Sequence, residues 1–246
     1  MNQCFVECKK VSFSYENGRE ILKDISFQAK ETDTIGLIGA NGVGKSTLLR
    51  ILVGLEMNFS GQVMLAGLPV EKKTLSSIRE KTGYLFQDSE NQLFMSTVGE
   101  DVGFAPRNYG LPEEEVMEKV TKALDMIGIS HLREKQIWKM SGGEKKMASI
   151  ATLLAMTPEV ILMDEPTIAL DPKNRRRLIQ IINGLDHLKI IASHDLDMIL
   201  ETCNRVILMA DGRIVRDGLT KDILTDKELL ERNGLELPLC MGHLNL

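Results

Sequence analysis

Nine consecutive residues constrain this chain more than any others. Gly39-Ala40-Asn41-Gly42-Val43-Gly44-Lys45-Ser46-Thr47 fits the pattern G-x-x-x-x-G-K-[ST] at every position. Thr34 to Ile38 before it reads as a short buried strand, and Ser46 to Val53 after it as an amphipathic helix with Leu48, Leu49 and Leu52 inward. In that setting the glycines at 39, 42 and 44 let the backbone curl so that several N–H groups face one anion at a positive helix N-terminus. Lys45 reaches β and γ phosphates as a point charge, and the Ser46 hydroxyl suits a Mg²⁺ ion shared with them. The stretch is therefore expected to bind a nucleoside triphosphate with Mg²⁺. Kinases, GTPases and transport motors all share such a loop.

Composition narrows the class. With 246 residues, 43% hydrophobic and 26% charged, the chain suits one compact α/β unit spanning 1–246. A net charge of −5 gives no global basic field, so no nucleic-acid partner is expected. Cys4, Cys8, Cys203 and Cys240 are scattered without zinc spacing and read as the reduced thiols of a cytosolic protein. The longest apolar run, Ala148 to Met163, is broken by Pro158 and Glu159, short of the ~20 apolar residues that span a bilayer. No secretory signal is read, and any membrane role is expected to come through a partner protein.

In chain order, Phe5 to Tyr15 alternates like a half-buried strand, Asn17-Gly18 signals a turn, and Ile21 to Ala29 offers an antiparallel second strand. Tyr15 at the strand end suits either stacking on a base or packing on a neighbour. Gly61 to Ala66 and Thr82 to Phe86 read as strands, with Gly67-Leu68-Pro69 as a turn. Gln87 follows directly; its amide could ligate Mg²⁺ or orient water, or be an ordinary surface group. Ser89 to Gly110 reads as irregular, with Phe94 and Phe104 exposed. Pro112 opens a helix at its first position, followed by Glu113, Glu114 and Glu115 and running to Gly128. Much of Thr97 to Thr157 looks helical, which implies a helical subdomain at about 88–158 inserted into the α/β core.

Ser141-Gly142-Gly143-Glu144 reads both as a capping box and as a second phosphate-binding helix terminus. Val160 to Met163 is a buried strand delivering Asp164 and Glu165, where Asp164 can hold Mg²⁺ and Glu165 can orient or deprotonate water. Ile190 to Ser193 delivers His194 to the same edge; a histidine is commonly structural, and position alone gives this one a functional reading. Val206 to Val215 forms a hairpin through Asp211-Gly212. A short C-terminal extension at about 219–246 follows, loosely held from Pro238.

Taken in this order, the residues resemble the ATP-binding cassette (ABC) ATPases over nearly the whole chain. The resemblance implies an α/β P-loop NTPase core with a mainly parallel central sheet, an N-terminal antiparallel β subdomain and an inserted helical subdomain. It makes Tyr15 the adenine-stacking aromatic, Gln87 the glutamine loop, Ser141 to Glu144 the signature, Asp164-Glu165 the metal and catalytic carboxylates, Asp171 the aspartate loop and His194 the switch histidine. It further implies ATP hydrolysis in a head-to-tail dimer, homo- or heteromeric, with each ATP held between one phosphate loop and the partner's signature.

Phe86 to Phe94, Val98 to Val102 and Lys145-Lys146 are similar to cobalt/nickel-type and energy-coupling-factor ATPases. That similarity implies transmembrane partner subunits, a peripheral place on the cytoplasmic membrane face, uptake of metal ions or vitamins, and docking through Gln87 to Asn108. The rival readings are a cassette protein acting on ribosomes or DNA and a low-turnover regulatory ATP-binding module. Met140, Glu144, Met147 and Ile168 depart from the family pattern, all expected on the side serving the partner's nucleotide. A carboxylate at 144 is expected to slow the site it completes, with Lys145 and Lys146 as its screen.

Overall fold

Parallel strands buried on both faces form the centre of the molecule. The computed structural model describes residues 4–15 and 18–242. Strand β1 (Cys4–Ser14) pairs antiparallel with β2 (Glu20–Lys30), and β3 (Thr34–Ile38) leads into helix α1 (Lys45–Leu52). Then come β4 (Phe59–Leu65), β5 (Leu68–Pro69), α2 (Leu75–Lys81) and β6 (Thr82–Leu85). Helices α3 (Val98–Asn108), α4 (Glu113–Ile127) and α5 (Gly142–Ala155) separate β6 from β7 (Val160–Asp164). The chain continues through α6 (Pro172–Asn183), β8 (Leu188–Ala192), α7 (Leu196–Thr202), β9 (Arg205–Ala210) and β10 (Arg213–Leu219). It ends in α8 (Thr220–Leu224), α9 (Lys227–Arg232) and α10 (Leu239–Gly242).

The first sheet, in order β2-β1-β4-β5, is antiparallel; the second, β10-β9-β3-β8-β7-β6, is parallel except for β10. Every residue of β3, β7 and β8 is buried. Alternate side chains enter two different cores: Leu37, Leu162, Ile190 and Ile207 one, Ile38, Ile161, Ile191 and Leu208 the other. That two-sided burial explains why these strands read as unbroken apolar runs. Helix α1 contacts both sheets and contributes Leu48, Leu49, Ile51 and Leu52 to the core that also holds Val11, Phe13, Ile25 and Phe27.

Register decides what these strands deliver. Leu37 pairs with Ala192, Ala192 with Asp164, and Met163 with Leu85. The carboxyl ends of β3, β8, β7 and β6 are thus abreast, and the residues that follow them emerge along one edge, where open α/β sheets bind ligands.

Several local expectations need correction. The stretch 89–110 contains α3, whose start is a complete Thr97/Glu100 capping box; Gly99, Gly103 and Pro106 break up its apolar period. Helix α2 was not foreseen, because only Ile78 of its seven residues is buried. Pro112 is the N-cap of α4, not its first helical residue. Leu68-Pro69 pair with Met64 and Leu65, leaving the turn to Ala66-Gly67. Asn17 of the expected turn lies outside the described residues. The chain from 238 is tied down as far as α10, because Asp197 accepts from Leu239 N at 3.1 Å and Cys240 N at 2.9 Å.

Two glycines of the phosphate loop differ in what they tolerate. A Cβ on Gly39 would lie 2.3 Å from the Met209 carbonyl oxygen of β9, whereas one on Gly42, at φ +79°, would meet nothing within 4 Å. Gly39→Ala is expected to lower unfolding free energy by about 2–3 kcal/mol. Gly42→Ala should cost about 1–2 kcal/mol for the left-handed backbone alone. Urea denaturation of both variants checks the order.

Candidate active site

The phosphate loop leaves β3 at Gly39 and enters α1 through Gly44, which caps the helix in the left-handed conformation at φ +105°. Val43 packs on the adjoining core and supports the turn beneath Gly39, while Asn41 and Gly42 face outward. Lys45 is buried at 6% exposure and its Nζ donates to the carbonyls of Gly39 at 2.6 Å and Ala40 at 3.2 Å. Burial holds its pKa below the usual lysine value, against the pull of Glu165 and Asp164.

Asp164, the last residue of β7, accepts from Ser46 Oγ at 2.9 Å. Burial raises the Asp164 carboxyl pKa, opposed first by that hydrogen bond and then by Arg50, Lys45 and Lys146. Its neighbour Glu165 is buried and adopts the left-handed backbone at φ +48°. Such a conformation costs a non-glycine residue on the order of 1–3 kcal/mol and tends to persist where function holds it. Glu165 Oε2 accepts from Ser193 Oγ at 3.3 Å and from His194 N at 3.2 Å. Oε1 makes no hydrogen bond, although His194 Nε2 is 3.2 Å away. The same imidazole nitrogen is 3.5 Å from Lys45 Nζ. The loop carrying His194 is fixed from behind, where Arg175 donates twice to Asp195, at 2.6 and 2.8 Å.

Tyr15, Asn41, Gly42, Gly44 to Thr47, Gln87, Glu165 and His194 line one open cleft of about 530 Å³. Tyr15 stands edge-on to Phe13, with centroids 4.9 Å apart, and its Oη lies 3.3 Å from Thr47 Oγ1. It is 37% exposed, so both a packing contact and a free ring surface are present. Ser46, Asp164 and Gln87 offer hydroxyl, carboxylate and amide oxygens. Among the described residues no group of three or more His, Cys, Asp or Glu could hold a metal by itself. Hard oxygen donors in so small a number fit Mg²⁺, which takes one or two protein ligands and completes its shell with phosphate and water.

The signature residues lie apart from this cleft. Gly142 lines a neighbouring cleft of about 450 Å³ that shares Gln87 and Ile168 with the first and also contains Asp164, and Gly143 approaches the Ala169 carbonyl. Ser141 and Glu144 form the complete capping box of α5. Lys135, rather than Lys145 or Lys146, neutralises Glu144, at 2.7 and 2.9 Å from its two oxygens. Lys145 pairs with Glu90, and Lys146 is buried. Met140 and Met147 are core residues, so of the four departures only Glu144 and Ile168 are available to a partner surface. Asp171 caps α6 by accepting from Asn174 N at 2.7 Å.

Sequence reasoning missed Ser193, Lys135 and the placement of Lys146. Lys146 Nζ donates to the carbonyls of Phe86 at 3.1 Å and Gln87 at 2.7 Å, and burial pushes its pKa down to about 8. The available signal was a lysine falling on an inner face of α5 that is apolar apart from Ser149.

Comparison with known proteins agrees with this geometry. The ABC transporter family matches residues 22–168. A putative ABC transporter ATP-binding protein of Geobacter sulfurreducens is 43% identical over 241 residues, covering 98% of this chain and 97% of the relative. The energy-coupling factor transporter ATP-binding protein EcfA of Methanocaldococcus jannaschii is 39% identical, covering 95% and 85%. Among solved structures, cbiO1 of Clostridium perfringens, described as part of the ABC transporter complex cbiONQ, superposes with a TM-score of 0.82 at 35% identity, covering 98% of both chains. A dimeric ATP-binding cassette, MJ0796, in a post-hydrolysis state with ADP and Pi, gives 0.81 at 27% identity, covering 88% and 99%. The chain belongs to the ABC transporter family. It is an ABC ATPase subunit of a transporter, and it binds and hydrolyses ATP.

The Lys135–Glu144 pair gives a test with a defined sign. Lys135 first, and then the Ser141 amide, hold the Glu144 carboxyl below its ordinary value of 4.5. A depressed acid stabilises the fold above its unfolded pKa, and that stability is lost as pH falls through the folded value. Glu144→Gln is expected to cost about 0.5–1 kcal/mol at pH 7. The difference from the parent should shrink below pH 4.5. Paired urea denaturation across pH 3–7 measures it.

Proposed function

We propose that this ATPase drives an uptake transporter for metal ions or vitamins, of the cobalt/nickel or energy-coupling-factor kind. The observation that carries its chemistry is the buried Glu165 carboxylate. One oxygen is held by Ser193 and His194 N, and the other is free of hydrogen bonds inside the phosphate-loop cleft. Tyr15 stacks on the adenine. The amides of 39–47 and Lys45 hold the triphosphate, and Ser46, Gln87 and Asp164 hold Mg²⁺, which when bound spreads the charge developing on the phosphates. Glu165 orients the attacking water and takes its proton at Oε1, while His194 Nε2 holds the γ-phosphate end.

A second ABC ATPase chain, either another copy or a paralogue, completes each site with its Ser141-Gly142-Gly143-Glu144. The dimeric form of MJ0796 and the separate cleft beside Gly142 support this reading. Among the described residues no helix is long and apolar enough to cross a membrane. By its similarity to transporter ATPases we place the chain at the cytoplasmic face through membrane subunits, docked on a helical subdomain of about 88–158. The exposed Phe94 and Phe104, edge-to-face with centroids 4.7 Å apart, support Gln87 to Asn108 as that surface. The similarity to EcfA and to cbiO1 supports the transporter subgroup.

Glu165→Gln is expected to keep ATP affinity within about twofold, because the phosphate loop is untouched, and to lose hydrolysis by at least about 100-fold. Calorimetry with ATP beside phosphate-release kinetics checks it; near-parental turnover removes Glu165 from the chemistry. Phe94→Asp is expected to abolish co-purification with membrane subunits from mild detergent while leaving the ATPase rate of the isolated chain within about twofold of the parent.

A further inference from the structure

Lys146 stands out as a buried charge that the chemistry above leaves without a task. At 1% exposure it is among the most enclosed side chains in the protein. Burying an ammonium is costly unless its donors are used, and a methionine or leucine would fill the same space without that cost. Two of its donors go to the Phe86 and Gln87 carbonyls, just where the chain leaves β6 and the sheet ladder no longer serves them.

The grip continues along α5. Lys145 holds Glu90 at 2.6 Å. The Gln92 amide donates to Ser149 O and to Thr152 Oγ1, both at 2.7 Å, and its oxygen accepts from Phe86 N at 3.3 Å. Residues 86–92 are therefore fastened to successive turns of the helix whose N-terminus is Gly142.

We propose that Lys146 is a positioning residue of the ATP site: by holding the Phe86 and Gln87 carbonyls against α5 it fixes the Gln87 amide toward the metal. The inference rests on the reading of Gln87 as a metal ligand. A lysine that only fills the core would affect stability without affecting metal binding.

The test is Mn²⁺ affinity of the full-length chain with ATP, in the Glu165→Gln background that preserves the nucleotide, read by electron paramagnetic resonance. Lys146→Met should weaken Mn²⁺ about tenfold, and Lys146→Gln, which keeps one shorter donor, about threefold. Calorimetric ATP affinity without metal should stay within about twofold of the parent. Gln87→Ala should weaken Mn²⁺ as Lys146→Met does, and the double variant should be no worse than Gln87→Ala, because both act through one group. With Glu165 intact, kcat should fall in Lys146→Met and in Gln87→Ala while KM for ATP holds. Unchanged affinity in Gln87→Ala would overturn the metal role of Gln87 and this inference together. A weakened Gln87→Ala beside an unchanged Lys146→Met, or multiplying effects in the double variant, would overturn the inference alone. If Lys146→Met fails to fold, Lys146→Gln decides by the same criterion.

Discussion

The register of the parallel strands is the constraint on which everything else depends. Leu37, Ala192 and Asp164 lie abreast, and Leu85 pairs with Met163 one strand further out. Gly39, Gln87, Glu165 and His194 therefore all leave the sheet at one edge, although they are far apart in the chain. A slip of one residue in any of these strands would exchange its two core faces and carry its functional residue out of line. The apolar alternation that stabilises the sheet thus also fixes the geometry of the site.

Enclosure at that edge sets the electrostatics. Lys45 and Lys146 are pushed toward neutrality and Asp164 toward protonation, in each case mainly by burial. A triphosphate supplies the negative charge that favours the ammonium of Lys45, and a divalent cation favours the carboxylate of Asp164. A bound triphosphate together with a divalent cation would therefore relieve on both sides a cost built into the fold. Glu165 is held by its bonds from Ser193 and His194 N, which leave its other carboxyl oxygen without a hydrogen bond.

What was legible in the sequence follows contiguity. The phosphate loop is nine adjacent residues with a strand before it and a helix after it, and the Asp164-Glu165 pair ends an apolar strand; both carried their structural context with them. The capping box at Ser141 and Glu144 was equally local. Helix α3 was obscured by glycines and a proline, despite the Thr97/Glu100 box that starts it. The countercharge of Glu144 was sought next door, at Lys145 and Lys146, and is supplied by Lys135 from the preceding loop. Lys146 bonds carbonyls about 60 residues away, a contact that no local pattern encodes. Met140 and Met147 looked like changes to a partner surface and are core residues.

A crystal structure of the Glu165→Gln chain grown with ATP and Mg²⁺ tests the account most directly. The expected result is a triphosphate against the amides of 39–47, with Lys45 Nζ turned from the Gly39 carbonyl to phosphate oxygens, Ser46 Oγ turned from Asp164 to the metal, and the adenine on Tyr15. A nucleotide bound elsewhere, or phosphates in the loop with Lys45 still bonded to Gly39 and Ser46 still bonded to Asp164, would contradict it.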